Sequence, residues 1–130
     1  MSPLREADVF RRPRGKPEWA LQKAIVIWLH AHGCLAVVTD AVAAYRAVAF
    51  SGDSLPRGWP DVTGLLPGGR FIGVECKAGR GRQSEAQKSM QYEIERRGGL
   101  YILARSVEDI EAAVVKLLPL AGLEAGKETP

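Results

Sequence analysis

Gly58-Trp59-Pro60-Asp61-Val62-Thr63-Gly64-Leu65-Leu66-Pro67-Gly68-Gly69-Arg70-Phe71-Ile72-Gly73-Val74-Glu75-Cys76-Lys77 is the stretch that decides the fold of this chain. Residues 70–77 are rich in apolar and β-branched side chains and follow a Pro-Gly-Gly turn, so they read as a strand. Val62 to Leu66 reads as a shorter strand, which the turn folds back as an antiparallel hairpin. Successive side chains on a strand point to opposite faces. Glu75 and Lys77 therefore share one face, while Val74 and Cys76 share the other. Gly73 lies on the Glu75 face and is expected to leave room there. Asp61 begins the first strand, and the hairpin brings it opposite the end of the second, beside Glu75.

Two carboxylates and an ammonium at one point suit a divalent metal and a phosphodiester. Mg2+ and Mn2+ prefer hard oxygen ligands, commonly one or two carboxylates completed by water and phosphate oxygens. Without a cation, adjacent carboxylates repel each other. A bound cation removes that repulsion and acidifies a coordinated water. Asp61 and Glu75 are the candidate ligands, with the backbone carbonyl of Cys76 as a further oxygen. Lys77 is suited to orienting water or to stabilising charge that develops on phosphate. Pro-Asp and Glu-x-Lys are common pairs taken singly, and a turn aspartate followed by a solvated Glu/Lys pair has the same letters. The strand context and the hairpin raise the signal above that reading.

Ala78-Gly79-Arg80-Gly81-Arg82 follows directly and is a basic, glycine-rich loop. It adjoins the carboxylates where a phosphate backbone would approach, so Arg80 and Arg82 are candidate DNA contacts. A solvated turn is the competing reading. A helix then runs from about Gln83 to Arg97. Ser84 and Gln87 form a capping box, and Gly98 is placed to end the helix. Gln87 also sits on the first helical turn beside the Glu75–Lys77 strand end, and both roles stand open for it. Arg46 and Arg57 are further candidate phosphate contacts.

Gly58-x-Pro60-Asp61, Gly69-Arg70-Phe71-Ile72-Gly73-x-Glu75-x-Lys77, Gln87 and Gly98-Gly99 together resemble the VRR-NUC (virus-type replication-repair nuclease) family. That family is a branch of the PD-(D/E)xK nucleases, which share the restriction-endonuclease-like fold. The resemblance spans about residues 18–115 and is specific over 58–99. It implies metal-dependent DNA cleavage, with Asp61 and Glu75 as metal ligands, Lys77 as catalytic lysine and Gln87 as the trailing glutamine. Small stand-alone members resemble phage or bacterial Holliday-junction resolvases acting as homodimers. A bacterial cytoplasm, or that of a phage-infected host, is the expected compartment. The pattern also has an acid on the first helix, which here is Glu18. An acid in a first turn equally complements the helix dipole; the resemblance favours a place in the site, with Gln22 as a weaker companion.

Pro17 to His32 reads as that first helix, with Leu21, Ala24, Ile25, Trp28 and Leu29 on one apolar stripe and Gly33 after it. Leu35 to Thr39 is a strand. Leu100 to Ala104 is another, apolar enough for burial on both faces. Ser106 caps a last helix to about Leu118, carrying Ile110, Ala113, Val114 and Leu117 on one stripe. The fold expected is α/β, a restriction-endonuclease-like core with a central mixed sheet in αβββαβ order plus a C-terminal helix. Residues 40–57 read as helix or as a strand pair, and their Ala-rich composition departs from the family pattern. The expected organisation is a basic arm over 1–16, a nuclease-like domain over 17–118 and a tail over 119–130.

The sequence holds 130 residues and is 46% hydrophobic, enough for one domain with one modest core. No apolar run reaches membrane-spanning length, and the N-terminus lacks a signal-peptide apolar region. Cys34 and Cys76 have neither metal-ligand spacing nor a disulfide pattern. The net charge of +3 is unevenly placed, with Arg5, Arg11, Arg12, Arg14 and Lys16 near the start and acids in the last quarter. A basic arm suits nucleic acid, and it equally suits a solubilising tail. Beyond junction resolution, three readings stay open. One is a flap, nick or single-strand nuclease within a replication-repair complex. The second is a silent DNA-binding module, and the third a metal-free structural domain.

Overall fold

The computed structural model describes residues 17–39 and 55–119. The elements run α1 (Pro17–Ala31), β1 (Leu35–Val38), β2 (Val62–Leu65), β3 (Phe71–Cys76), α2 (Glu85–Arg96), β4 (Leu100–Ala104) and α3 (Val107–Val114), ending in a 3-10 turn, Val115–Leu117. The sheet order is β1-β2-β3-β4. The first three strands pair antiparallel, and β4 joins β3 in parallel through α2. This is the expected restriction-endonuclease-like α/β core. The hairpin has the expected partners: Val62 faces Val74, which sets Asp61 level with Glu75.

One sheet face carries the core. Val62, Ile72, Val74, Cys76, Ile102 and Ala104 pack there against Ile25 and Leu29 of α1 and Ile110 and Val114 of α3. The apolar stripe of α1 is centred on Ile25 and Leu29, both fully buried, and Gln22 is buried beside them at 1% exposure. The stripe expected on the last helix is interrupted. After Val114 the chain tightens to a 3-10 turn, which advances fewer residues per turn, and Leu117 rotates out to 39% exposure. Both cysteines are buried thiols, Cys76 on the core face as expected, and burial pushes the Cys34 thiol up.

The second face is covered by α2 and by the loop before β2. Phe71, Gly73 and Glu75 of β3 point this way by strand alternation, and Tyr101 lies level with Gly73. The room expected at Gly73 is already filled. A Cβ there would stand 2.7 Å from the ring of Pro60, so the missing side chain lets the Pro60–Asp61 turn lie flat on the sheet.

His30 and His32 are both exposed near the end of α1, and they do different work. His32 stacks on Trp28 with centroids 3.7 Å apart. His30 Nε2 lies 2.9 Å from the carbonyl of Ala36 and 3.3 Å from its N–H, covering the outer edge of β1. Among the described residues, no helix is long and apolar enough to cross a membrane.

Candidate active site

Asp61 is placed by its neighbours on both sides. Thr39, just past β1, donates its Oγ1 hydroxyl to Pro60 O at 2.7 Å and its N–H to Asp61 O at 2.8 Å. These bonds extend the β1–β2 pairing by one step and hold the Pro-Asp turn against the sheet. The Asp61 carboxylate then accepts the N–H of Cys76 at 2.9 Å. It takes the ladder position that β2 vacates at Pro60, since β2 begins only at Val62. N–H and C=O of one strand residue leave the backbone on the same side. The Cys76 carbonyl therefore points to the Asp61 side of β3.

Glu75 lies almost wholly inside, at 2% exposure. Its Oε2 accepts from Gln87 Nε2 at 2.7 Å. The same Gln87 amide accepts the Ser84 N–H through Oε1 at 2.8 Å, while Ser84 Oγ accepts the Gln87 N–H at 3.1 Å. The capping box and the contact to Glu75 are thus two ends of one side chain. Neither of the two sequence readings of Gln87 displaces the other.

Lys77 lies one residue beyond β3, and its N–H donates to Ala104 O at 3.0 Å. That bond continues the parallel ladder, so strand alternation holds and the lysine stays on the Glu75 face. Glu18, in the first turn of α1, accepts the Ala78 N–H at 3.3 Å. Glu18 thus binds the main chain directly after Lys77, beside the carboxylates. Among the described residues no group of three or more His, Cys, Asp and Glu gathers as a cation cage. The donors that could hold a metal are Asp61, Glu75 and the Cys76 carbonyl, a hard-oxygen set suited to a partly hydrated ion.

Tyr101 belongs to the same cluster, and the sequence reading missed it. Its phenol accepts from Gln83 Nε2 at 3.0 Å, and Gln83 also donates to Gln91 at 2.9 Å. The phenol is pushed up to about 12, chiefly by burial, lowered in part by Gln83 and raised again by the charges of Glu75, Asp61 and Glu95. Tyr101 therefore stays protonated at any physiological pH, with both carboxylates within electrostatic reach. Only strand pairing brings it there, and no local motif marks it. The same is true of Thr39.

Arg80 and Arg82 are exposed on the loop after β3. Arg57 is exposed in the loop before Pro60, lining a shallow groove with Glu85, Ala86, Ser89, Met90 and Glu93 of α2. Arg46 lies outside the described residues. A separate apolar cleft among Trp59, Phe71, Met90 and Ile94 opens at the far end of β3 from Glu75.

A solved structure described as a VRR_NUC domain protein is similar to this chain, with a TM-score of 0.52 and 15% sequence identity. The match covers 80% of this chain and 89% of that one. At such low identity the likeness is one of fold. No family model and no curated protein matches the chain.

Proposed function

We propose that this protein is a Mg2+- or Mn2+-dependent DNA endonuclease that hydrolyses phosphodiesters at the carboxyl end of β3. The observation that carries the reading is the paired anchoring of two acids at one strand end. Asp61 is locked to the Cys76 N–H and Glu75 to the Gln87 amide. Fixing two carboxylates side by side opposes their mutual repulsion and serves stability poorly unless a cation is to be held. A bound divalent ion supplies a Lewis acid for phosphate oxygens and acidifies its water. Asp61, Glu75 and the Cys76 carbonyl are the residues to hold it. Lys77 faces the phosphate and stabilises charge developing there. Gln87 and Glu18 keep Glu75 and the Ala78 main chain in place. Arg80, Arg82 and Arg57 bring the DNA backbone in, together with Arg46 in the segment not described.

The substrate class we favour is branched DNA, with a homodimer supplying two sites to cut a four-way junction symmetrically. A replication or repair partner and a cytoplasmic location fit that substrate. The test is cleavage of labelled four-way junction, flap, nicked and linear duplex DNA in Mg2+, Mn2+ and EDTA. Paired symmetric cuts that need metal and vanish in Glu75→Ala are expected. In Lys77→Ala, cleavage should fall at least about a hundredfold while DNA affinity changes little. Cuts confined to flaps or single strands would keep the nuclease and discard the junction resolvase. Binding to every DNA without any cutting would leave a binding module.

A further inference from the structure

We infer that Arg105 is a positioning residue that holds residues 79–82 in a shape that binds the phosphates of DNA. This rests on the nuclease reading above and adds what presents the substrate backbone to the carboxylates.

Arg105 directly follows the last residue of β4. Its guanidinium donates through Nη1 to Gly79 O at 2.6 Å and through Nη2 to Gly81 O at 2.8 Å. Its own N–H donates to Asp109 Oδ2 at 2.8 Å, which ties its backbone to the first turn of α3. The loop is closed further by Gly81 N–H to Ala78 O at 3.0 Å, and at its root by Ala78 N–H to Glu18. A chain alternating Gly79, Arg80, Gly81 and Arg82 has much backbone freedom to lose on ordering. A planar fork that grips two carbonyls is the device that removes it.

The grip also orients the peptides. In a planar trans peptide the C=O of one residue and the N–H of the next point in opposite directions. With the carbonyls of Gly79 and Gly81 turned to Arg105, the N–H groups of Arg80 and Arg82 both point away from it. Among the described residues neither N–H meets a protein acceptor, and no carboxylate pairs with the side chains of Arg80, Arg82 or Arg105. Arg80 and Arg82 are thus exposed on a loop that Arg105 grips, and among the described residues no carboxylate forms an ion pair with any of the three guanidinium groups. Two main-chain N–H donors turned the same way and two exposed arginine side chains on a fixed loop suit the oxygens of a phosphodiester backbone.

The test uses the full chain with Arg105→Ala, Arg105→Lys, Arg80→Ala/Arg82→Ala and the triple variant. Two readouts are taken: trypsin cleavage after Arg80 and Arg82 in the absence of DNA, and affinity for labelled junction and duplex DNA in EDTA. Unchanged melting temperatures establish that the variants fold. Arg105→Ala should speed cleavage at the loop and weaken DNA binding on the order of tenfold, by loss of preorganisation. Once Arg80 and Arg82 are alanine, removing Arg105 should alter affinity by less than about twofold, because it acts through them. Arg105→Lys, a point charge that cannot bridge both carbonyls, should behave like Arg105→Ala. Additive losses, rescue by lysine, or trypsin cleavage as slow as wild type would each overturn the assignment. A wild-type protein that binds no DNA would instead remove the nuclease reading, and the trypsin result would still report on the clamp.

Discussion

Gln87 shows how one side chain can serve two structures at once. Its oxygen closes the cap of α2 and its nitrogen holds Glu75. The cap was legible in the sequence because Ser84 and Gln87 stand at capping-box spacing. Its place beside the Glu75–Lys77 strand end was legible too, but the hydrogen bond to Glu75 was not, because it depends on where the helix lands relative to β3. Variants separate the two functions. Gln87→Ala loses both and should lower stability by about 1–3 kcal/mol. Gln87→Glu keeps an acceptor for the Ser84 N–H but sets a carboxylate against Glu75. Without metal it should melt below Gln87→Ala, and Mn2+ should recover more of its melting temperature. Thermal denaturation with and without Mn2+ reads both effects. Equal melting of the two variants in EDTA would mean that the Glu75 contact has no electrostatic weight.

Among the elements, the β2–β3 hairpin and the strand–loop–helix run from β3 to α2 were readable from turn chemistry, alternation and a cap. Their mutual packing was not. Gly58 is a case in point. It has φ of +80°, and a Cβ on it would stand 2.2 Å from the carbonyl of Ala86 in α2. The loop carrying Pro60 and Asp61 therefore rests on the first turns of the helix that carries Gln87. Gly58→Ala violates both the backbone region and the contact, and should cost about 2–4 kcal/mol. It should also move Asp61 away from Cys76, so metal affinity falls alongside stability. Chemical denaturation together with Mn2+ titration checks this. A variant that is destabilised yet binds Mn2+ like wild type would show the loop and the site to be independent.

At the scale of the molecule, the sheet has two unequal faces. One is the apolar core under α1 and α3; the other buries Glu75, Tyr101 and a glutamine network under α2. A face that holds charge inside is stabilised by a ligand that binds only the folded state. Mn2+ at about 100 times its dissociation constant should add about 2.7 kcal/mol. For a domain of this size that is a rise in melting temperature on the order of 10 °C. The rise should vanish in Asp61→Ala and Glu75→Ala and persist in Lys77→Ala, which keeps the carboxylates. Differential scanning fluorimetry across a Mn2+ series is the measurement, and a flat wild-type curve would argue for a metal-free domain.

By itself the sequence determined what depends on near neighbours. Alternation put Glu75 and Lys77 on one face, a Pro-Gly-Gly turn brought Asp61 level with Glu75, and caps and glycines set the helix ends. Each follows from backbone geometry over a few residues. The tertiary structure alone decided which distant groups meet. Thr39 holds the Pro60–Asp61 turn, Pro60 fills the space over Gly73, Tyr101 joins the carboxylates, and Arg105 grips the loop beyond β3. These contacts link residues far apart in the chain through strand order and parallel crossover. No spacing rule encodes them, because they exist only once the sheet has closed and the helices are packed on it.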